Sequence, residues 1–302
     1  MSTESRLPSE TSLPKLVRFD WAIKYLLRNK AHFDILEGFL SELLHTDVHI
    51  DSILESESNK DNEDNKTIRV DLKAELQGGE KVIIEVQCIR QWDFLSRMLF
   101  GVSKVVVEHL KQGELYGSLP RIISINIVYF DIGHGMDYIY EGKTQFKGIH
   151  FHDQLELGTS EKRMYPPTIR ELAHVYPHYY VLKIPQFNSR VQDKVDEWMY
   201  FLKNEAIKPE FKAQGLHQAA ETLEILRLKP EQKQRYDAYI ENLRDEKSLI
   251  DTHFGAGKEE GKIEGKIEGK IEIAKALKAS GMALSDIQKY TGIDVSEIAK
   301  LN

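Results

Sequence analysis

The stretch Lys66–Gln87, KTIRVDLKAELQGGEKVIIEVQ, constrains this chain more than any other. Two alternating runs flank Gly78-Gly79, and alternation broken by glycine signals a β-hairpin. Successive side chains on a strand point to opposite faces. Val70, Leu72, Ala74 and Leu76 therefore share one face, and Arg69, Asp71, Lys73 and Glu75 the other. In the second run Val82, Ile84, Val86 and Cys88 form the apolar set, opposed by Lys81, Ile83, Glu85 and Gln87. A strict two-residue turn at Gly78-Gly79 would pair Gln77 with Glu80 and Asp71 with Val86. That sets an apolar face beside a polar one, which a one-sided core does not tolerate. An odd loop such as Gly78-Gly79-Glu80 instead pairs Gln77 with Lys81, Asp71 with Gln87 and Lys73 with Glu85. The expectation is an odd loop or a bulge that gathers Asp71, Lys73, Glu85 and Gln87 into one patch.

Neighbouring carboxylates repel each other, and a hard divalent cation relieves the repulsion. Mg²⁺ commonly needs only one or two carboxylates plus a phosphate. The same alternation also describes a solvated strand face laced with cross-strand ion pairs. Spacing alone leaves both readings open.

Asp71 followed by Glu85-Val86-Gln87 after a short hairpin resembles the D…(D/E)-x-K signature of the PD-(D/E)XK nuclease superfamily. It is closer still to the recombination-promoting nuclease and transposase family, a branch whose signature typically ends in E-x-Q. Phe19-Asp20-Trp21-Ala22-Ile23-Lys24 is similar to the opening helix of that family. Phe94, Arg97, Lys111, Gly113, Tyr116 and Pro120, followed by Ile122–Ile127, are similar to its helix and fourth strand. The Gly-Lys-Ile-Glu tail from Gly261 and the closing Tyr290-Thr291-Gly292-Ile293 resemble its C-terminal region.

At 302 residues and 41% apolar composition, the chain can bury one substantial core with appendages. No apolar run is long enough to span a bilayer. The polar, proline-punctuated residues 1–17 lack the apolar stretch of a signal peptide and read as a disordered leader. A lone cysteine, Cys88, excludes a disulfide framework and a thiolate zinc site. These features suit a reducing cytoplasm and no membrane. The formal charge of −7 argues against a generally basic coat. A local basic surface is still expected from Arg69, Lys73, Arg90, Arg97, Lys104, Lys111 and Arg121.

Helical periodicity runs over Phe19–Leu44 with a break near Asn29-Lys30, then a strand over Val48–Leu54. Gln91–Gln112 reads as a helix with Leu95, Met98, Leu99, Val102, Val105, Val106 and Leu110 as its apolar stripe. Arg121–Phe130 is a nearly continuous β-branched run and reads as a strand covered on both faces. Tyr138–Phe151 suggests one or two strands, and Tyr179–Ile184 a short strand stopped by Pro185. The pattern therefore predicts an α/β fold. The resemblance specifies a restriction-endonuclease-like core, a mixed central β-sheet flanked by helices, over residues 18–187. A helical subdomain over 188–252 is expected from Val191–Ile207, Glu210–Leu228 and Glu231–Ile250.

In the C-terminal extension, 253–302, glycine recurs every fourth residue from Gly257 to Gly269. Like charges then stack at i,i+4, and each glycine costs up to ~1 kcal/mol relative to alanine, so a frayed helix is expected unless a partner helix packs on it. Ser285-Asp286-Ile287-Gln288 reads as a capping box with Gly292 as the stop, and Asp294 or Ser296 opens a last short helix. With one cation in that last helix, the segment reads as a docking or homodimerisation module rather than a base reader.

The resemblance implies Mg²⁺-dependent hydrolysis of a DNA phosphodiester, with Mn²⁺ as a substitute ion. Asp71, Glu85 and the Val86 carbonyl would hold the metal, and Asp20 would assist from the first helix. Gln87 departs from the superfamily lysine, because an amide hydrogen-bonds water or phosphate but brings no charge. Lys73, across from Glu85 in the register above, is the expected source of the missing cation. Arg97 and Lys111 are the expected phosphate contacts, with a structural partnership to a core carboxylate as the alternative for Arg97. The alternative is a nuclease fold that binds nucleic acid or regulates without cutting.

Overall fold

The computed structural model describes residues 14–25, 27–54, 71–109 and 115–301. Its elements in chain order are α1 (Phe19–Tyr25), α2 (Phe33–Leu44), β1 (Ile50–Leu54), β2 (Leu72–Leu76), β3 (Lys81–Gln87), α3 (Phe94–His109), β4 (Ile122–Val128) and β5 (Ile139–Gly142). There follow the one-turn α4 (Thr159–Lys162), β6 (His178–Lys183), α5 (Lys194–Asn204), α6 (Leu216–Thr222), α7 (Pro230–Ala279), α8 (Leu284–Thr291) and α9 (Val295–Lys300). Contacts divide the chain into two compact units, Met1–Tyr236 and Asp237–Asn302.

In the first unit the six strands form one sheet in the order β1-β2-β3-β4-β6-β5. β3, β4 and β6 run parallel, while β1, β2 and β5 are antiparallel to their neighbours. Helices flank this mixed sheet, as in a restriction-endonuclease-like α/β fold. All seven residues of the central β4 are buried, so its β-branched run is covered on both faces as expected. α3 covers one face through Val102 and Val105 on Ile83 and Ile122, and through Phe94 and Met98 on Val128. Phe19 of α1, Phe39 of α2, and Trp198 and Phe201 of α5 join in edge-on or tilted ring contacts 5.3–6.1 Å apart.

The break between α1 and α2 falls at Asn29, whose side-chain oxygen accepts from Ala31 N at 3.0 Å and starts a new turn. α6 docks on α2 through glycine: a Cβ at Gly38 would lie 2.3 Å from the Gln214 carbonyl oxygen. Residues 188–252 divide between the two units, because α5 and α6 pack on α2 while α7 runs on to Ala279.

Several expectations are corrected. The hairpin loop is odd, but it is Gln77-Gly78-Gly79, closed by Leu76 N donating to the Glu80 carbonyl at 2.9 Å. Both glycines take positive φ, +104° and +88°. The register is therefore Lys73 with Ile83 and Leu72 with Ile84, two residues away from the expected pairing. A shift of two keeps every side chain on its face, so hydrophobic alternation could not distinguish the two registers. In α3, Leu95 and Leu99 are exposed at 60% each, because Phe94, Met98, Val102 and Val105 form the stripe that meets the sheet. Tyr138–Phe151 supplies one strand, β5, within the expected one or two, whereas Glu210–Leu228 supplies only α6 as α-helix.

In the second unit the glycine-repeat segment is part of one continuous helix, α7. Among the described residues, nothing lies within 4 Å of where a Cβ would project from Gly257, Gly261, Gly265 or Gly269. Ala274, Ile287 and Ile298 form a small core that holds α8 and α9 against the end of α7. α8 starts at Leu284 after Ala283, which makes no side-chain cap, so the expected capping box does not form. Gly292 does end α8, at φ +71°, and Asp294 caps α9 by accepting from Ser296 N at 2.9 Å. Among the described residues, no helix is long and apolar enough to cross a membrane.

Candidate active site

β3 carries Glu85 to the C-terminal end of the parallel strands, where crossover folds place their ligands. Continuing the ladder one step beyond Leu72–Ile84 sets Asp71 level with Glu85. Asp71 reaches across to β3, its Oδ2 accepting from Val86 N at 2.7 Å. Its Oδ1 pairs with Lys24 Nζ of α1 at 3.1 Å, and its backbone carbonyl accepts from Arg28. Glu85, 4% exposed, accepts from Arg97 Nε at 2.8 Å. Arg97 Nη1 in turn donates to Gln91 Oε1 at 3.1 Å. The hairpin and α3 thus hold one acid each way: Asp71 against α1, Glu85 against α3.

Both acids are raised from their ordinary values. At Asp71 burial is the largest cause. It outweighs the pull of Lys24 and of Val86 N–H, and the nearby Asp20 charge adds to the rise. At Glu85 burial again outweighs Arg97, and the negative charge of Asp71 raises it further. The two acids therefore sense each other. For Lys24 burial alone would lower the pKa, but the Asp71 carboxylate reverses this and holds the ammonium above its usual value. Burial penalises the acid more than the base here, since the Asp71 side chain is 12% exposed and that of Lys24 37%.

The remaining expected site residues have definite places. Asp20 is buried and engages Arg18 Nε at 3.2 Å, while its Oδ2 accepts from the Cys88 thiol at 2.7 Å. Burial, and then the Asp20 charge, push Cys88 up to about 12, so it is a protonated donor and not a nucleophile. Gln87 Nε2 donates to the Ile89 carbonyl at 3.0 Å. Lys73 lies beside Ile83 rather than across from Glu85, and its Nζ pairs with Glu108 of α3 at 2.7 Å. Lys111 and Arg69 lie outside the described residues. The expected basic surface is largely consumed internally, with Arg97 on Glu85, Lys104 and Lys73 on Glu108, and Arg121 on Glu80.

Two residues were missed by sequence reasoning. Lys24 had a usable signal, its i,i+4 spacing from Asp20 on one helix face. Asn126 had none. It lies on β4 in register with Glu85, and its Nδ2 donates to Ser124 Oγ at 3.0 Å and to the Tyr180 carbonyl at 3.2 Å. Its Oδ1 is buried and has no hydrogen-bond partner among the described residues.

Among the described residues no group of three or more His, Cys, Asp or Glu side chains converges as a closed metal cage. The donor set is two carboxylates in an environment that disfavours their charge. That set suits Mg²⁺ or Mn²⁺, which accept few protein oxygens and fill their shells with water and phosphate.

Residues 17–158 match the family model described as PD-(D/E)XK nuclease family transposase. No curated protein and no solved structure matches the chain.

Proposed function

We infer that this chain, which carries a PD-(D/E)XK nuclease family transposase domain and with it a nuclease-type function, is a divalent-metal-dependent DNA endonuclease linked to recombination or mobile DNA. The observation that supports it most is the pair of desolvated acids, Asp71 and Glu85, each raised by burial and by a neighbouring negative charge. Asp71 and Glu85 would hold Mg²⁺ or Mn²⁺. When bound, the ion supplies the positive charge that a phosphodiester needs as negative charge develops on it.

The chain's own groups do the positioning. Val86 N–H fixes the Asp71 carboxylate, and the Arg97–Gln91 pair fixes Glu85. Lys24, and not Lys73, is the ammonium beside the acids, and we assign it the charge that Gln87 does not carry. Gln87, tied to the Ile89 carbonyl, shapes the exit of β3 beside the site. Asp20 acts at one remove, through its effect on Lys24 and Asp71.

A plasmid-nicking assay with Mg²⁺ or Mn²⁺ tests this reading, comparing wild type with Asp71→Ala and Glu85→Ala. Nicking by wild type alone is the expected result. Equal nicking by all three proteins would mean a contaminant. No nicking by any of them, with DNA still bound, would make the chain a binding or regulatory module.

A further inference from the structure

The chain has three tryptophans, and two of them, Trp21 and Trp198, are completely buried. Trp92 is 79% exposed. Such exposure is unusual for the largest apolar side chain. The ring is not unsupported, since the Arg90 guanidinium carbon lies over it, 4.1 Å from the centroid. A cation on one ring face fixes the plane of the indole and leaves the other face to solvent.

The position of the pair matters more than its exposure. Residues 88–93 join β3 to α3, immediately after Glu85 and Gln87. Gln91, next to Trp92, is hydrogen-bonded to Arg97, which holds Glu85. Trp92 is thus mounted on the same connection that positions a site carboxylate. We propose that the Arg90–Trp92 pair is a stacking platform for an unpaired DNA base beside the bond to be cut, so that the substrate class is DNA with a single-stranded segment. The proposal rests on the nuclease reading above.

The chemistry favours a base over other occupants. Nucleobases offer a flat π-face that stacks on an exposed indole, and a guanidinium beside it answers the phosphate charge. Within an intact duplex the base faces are already stacked on one another. An exposed ring can take one only from a gap, an overhang, a bubble or a flipped nucleotide. A purely phosphate-tracking surface would use lysine and arginine without an exposed indole.

Trp92 is also its own reporter, because the two buried tryptophans are shielded from solvent and from quenchers. Tryptophan emission of the full-length protein is followed in EDTA, which keeps the DNA whole, while anisotropy of a labelled strand measures binding in parallel. An oligothymidylate is expected to quench the solvent-exposed emission strongly. A blunt duplex and an abasic strand of equal length should bind with little quenching. Trp92→Ala is expected to weaken oligothymidylate binding by about 5- to 150-fold, the range set by loss of one stacked base. Trp92→Phe should restore part of that affinity without the signal.

Binding of oligothymidylate without quenching, equal quenching by the abasic strand, or unaltered affinity of Trp92→Ala would overturn the platform and leave the nuclease reading standing. If no DNA binds and no plasmid is nicked, the nuclease reading falls, and the platform falls with it.

Discussion

The two ends of the parallel strands carry the same kinds of residue in opposite electrostatic condition. At the N-terminal end Arg121 pairs with Glu80 at 2.8 Å, and His178 Nε2 and the Tyr180 hydroxyl meet Glu141 Oε1 at 2.9 and 3.0 Å. Burial tends to raise Glu141, but hydrogen bonds from Lys143 and Tyr180 overturn it and hold this acid below its usual range. At the C-terminal end Asp71 and Glu85 also have cationic partners, yet both remain raised. The difference is depth and company. Glu141 is 43% exposed with several donors, whereas Glu85 is 4% exposed and faces another acid. Ion pairing alone does not mark a structural cluster; what separates the two is whether the pairing overcomes desolvation.

The largest effect that could break this contrast is expected from neutral isosteres at the C-terminal end. Asp71→Asn and Glu85→Gln should each reduce nicking to the assay background without lowering the melting temperature at neutral pH in EDTA. The sign follows from linkage. An acid whose folded pKa is raised binds more protons in the folded state, so stability falls as pH rises from the unfolded pKa through the raised folded one. Above that window the destabilisation is fully present. Melting curves from about pH 4 to about pH 8 should therefore fall less steeply for either variant than for wild type. A variant that melts well below wild type at neutral pH would make these acids structural, like those at the other end.

Lys24→Met should cut nicking by roughly 10–100-fold, as loss of an outer-shell partner commonly does. It should also move the alkaline-rising limb of the pH–rate profile upward, because Asp71 loses the cation that lowers it. An unchanged profile would remove Lys24 from the site. At the opposite end, Arg121→Met should cost ~1.5–3 kcal/mol of stability by chemical denaturation, with nicking per folded molecule unchanged. The smallest effect is expected for Lys73→Met, with nicking within about two-fold of wild type, since its partner Glu108 is 38% exposed and stays solvated. A large loss there would support the catalytic role expected for Lys73 despite its pairing with Ile83.

The hairpin, the buried strand β4 and the split between α1 and α2 were legible because each is written in short-range periodicity or a local cap. The apolar stripe of α3 shows the limit of that reading. Leu95 and Leu99 fit a helical face beside Met98 as well as Phe94 does, and only contact with Val128 decides that Phe94 is the buried one. Asp71 and Glu85 were legible as a pair, since alternation put them on one side. Arg97 was legible only as one of two readings, phosphate contact or carboxylate partner, and its ion pair with Glu85 is the second. Lys24 was not legible as a partner, because it arrives from a helix separated from the hairpin in sequence. Asn126 looks like any residue of a β-branched run until β4 lies against β3.

The sequence alone determined which residues share a face, because the two-residue period of a strand is fixed by backbone geometry. It also determined that the hairpin loop is odd, since an even loop would mismatch the faces. Tertiary structure decided the register within that parity and the partner of every buried charge. Those choices depend on which helix end meets which strand end, and on how much water each meeting removes from a carboxylate.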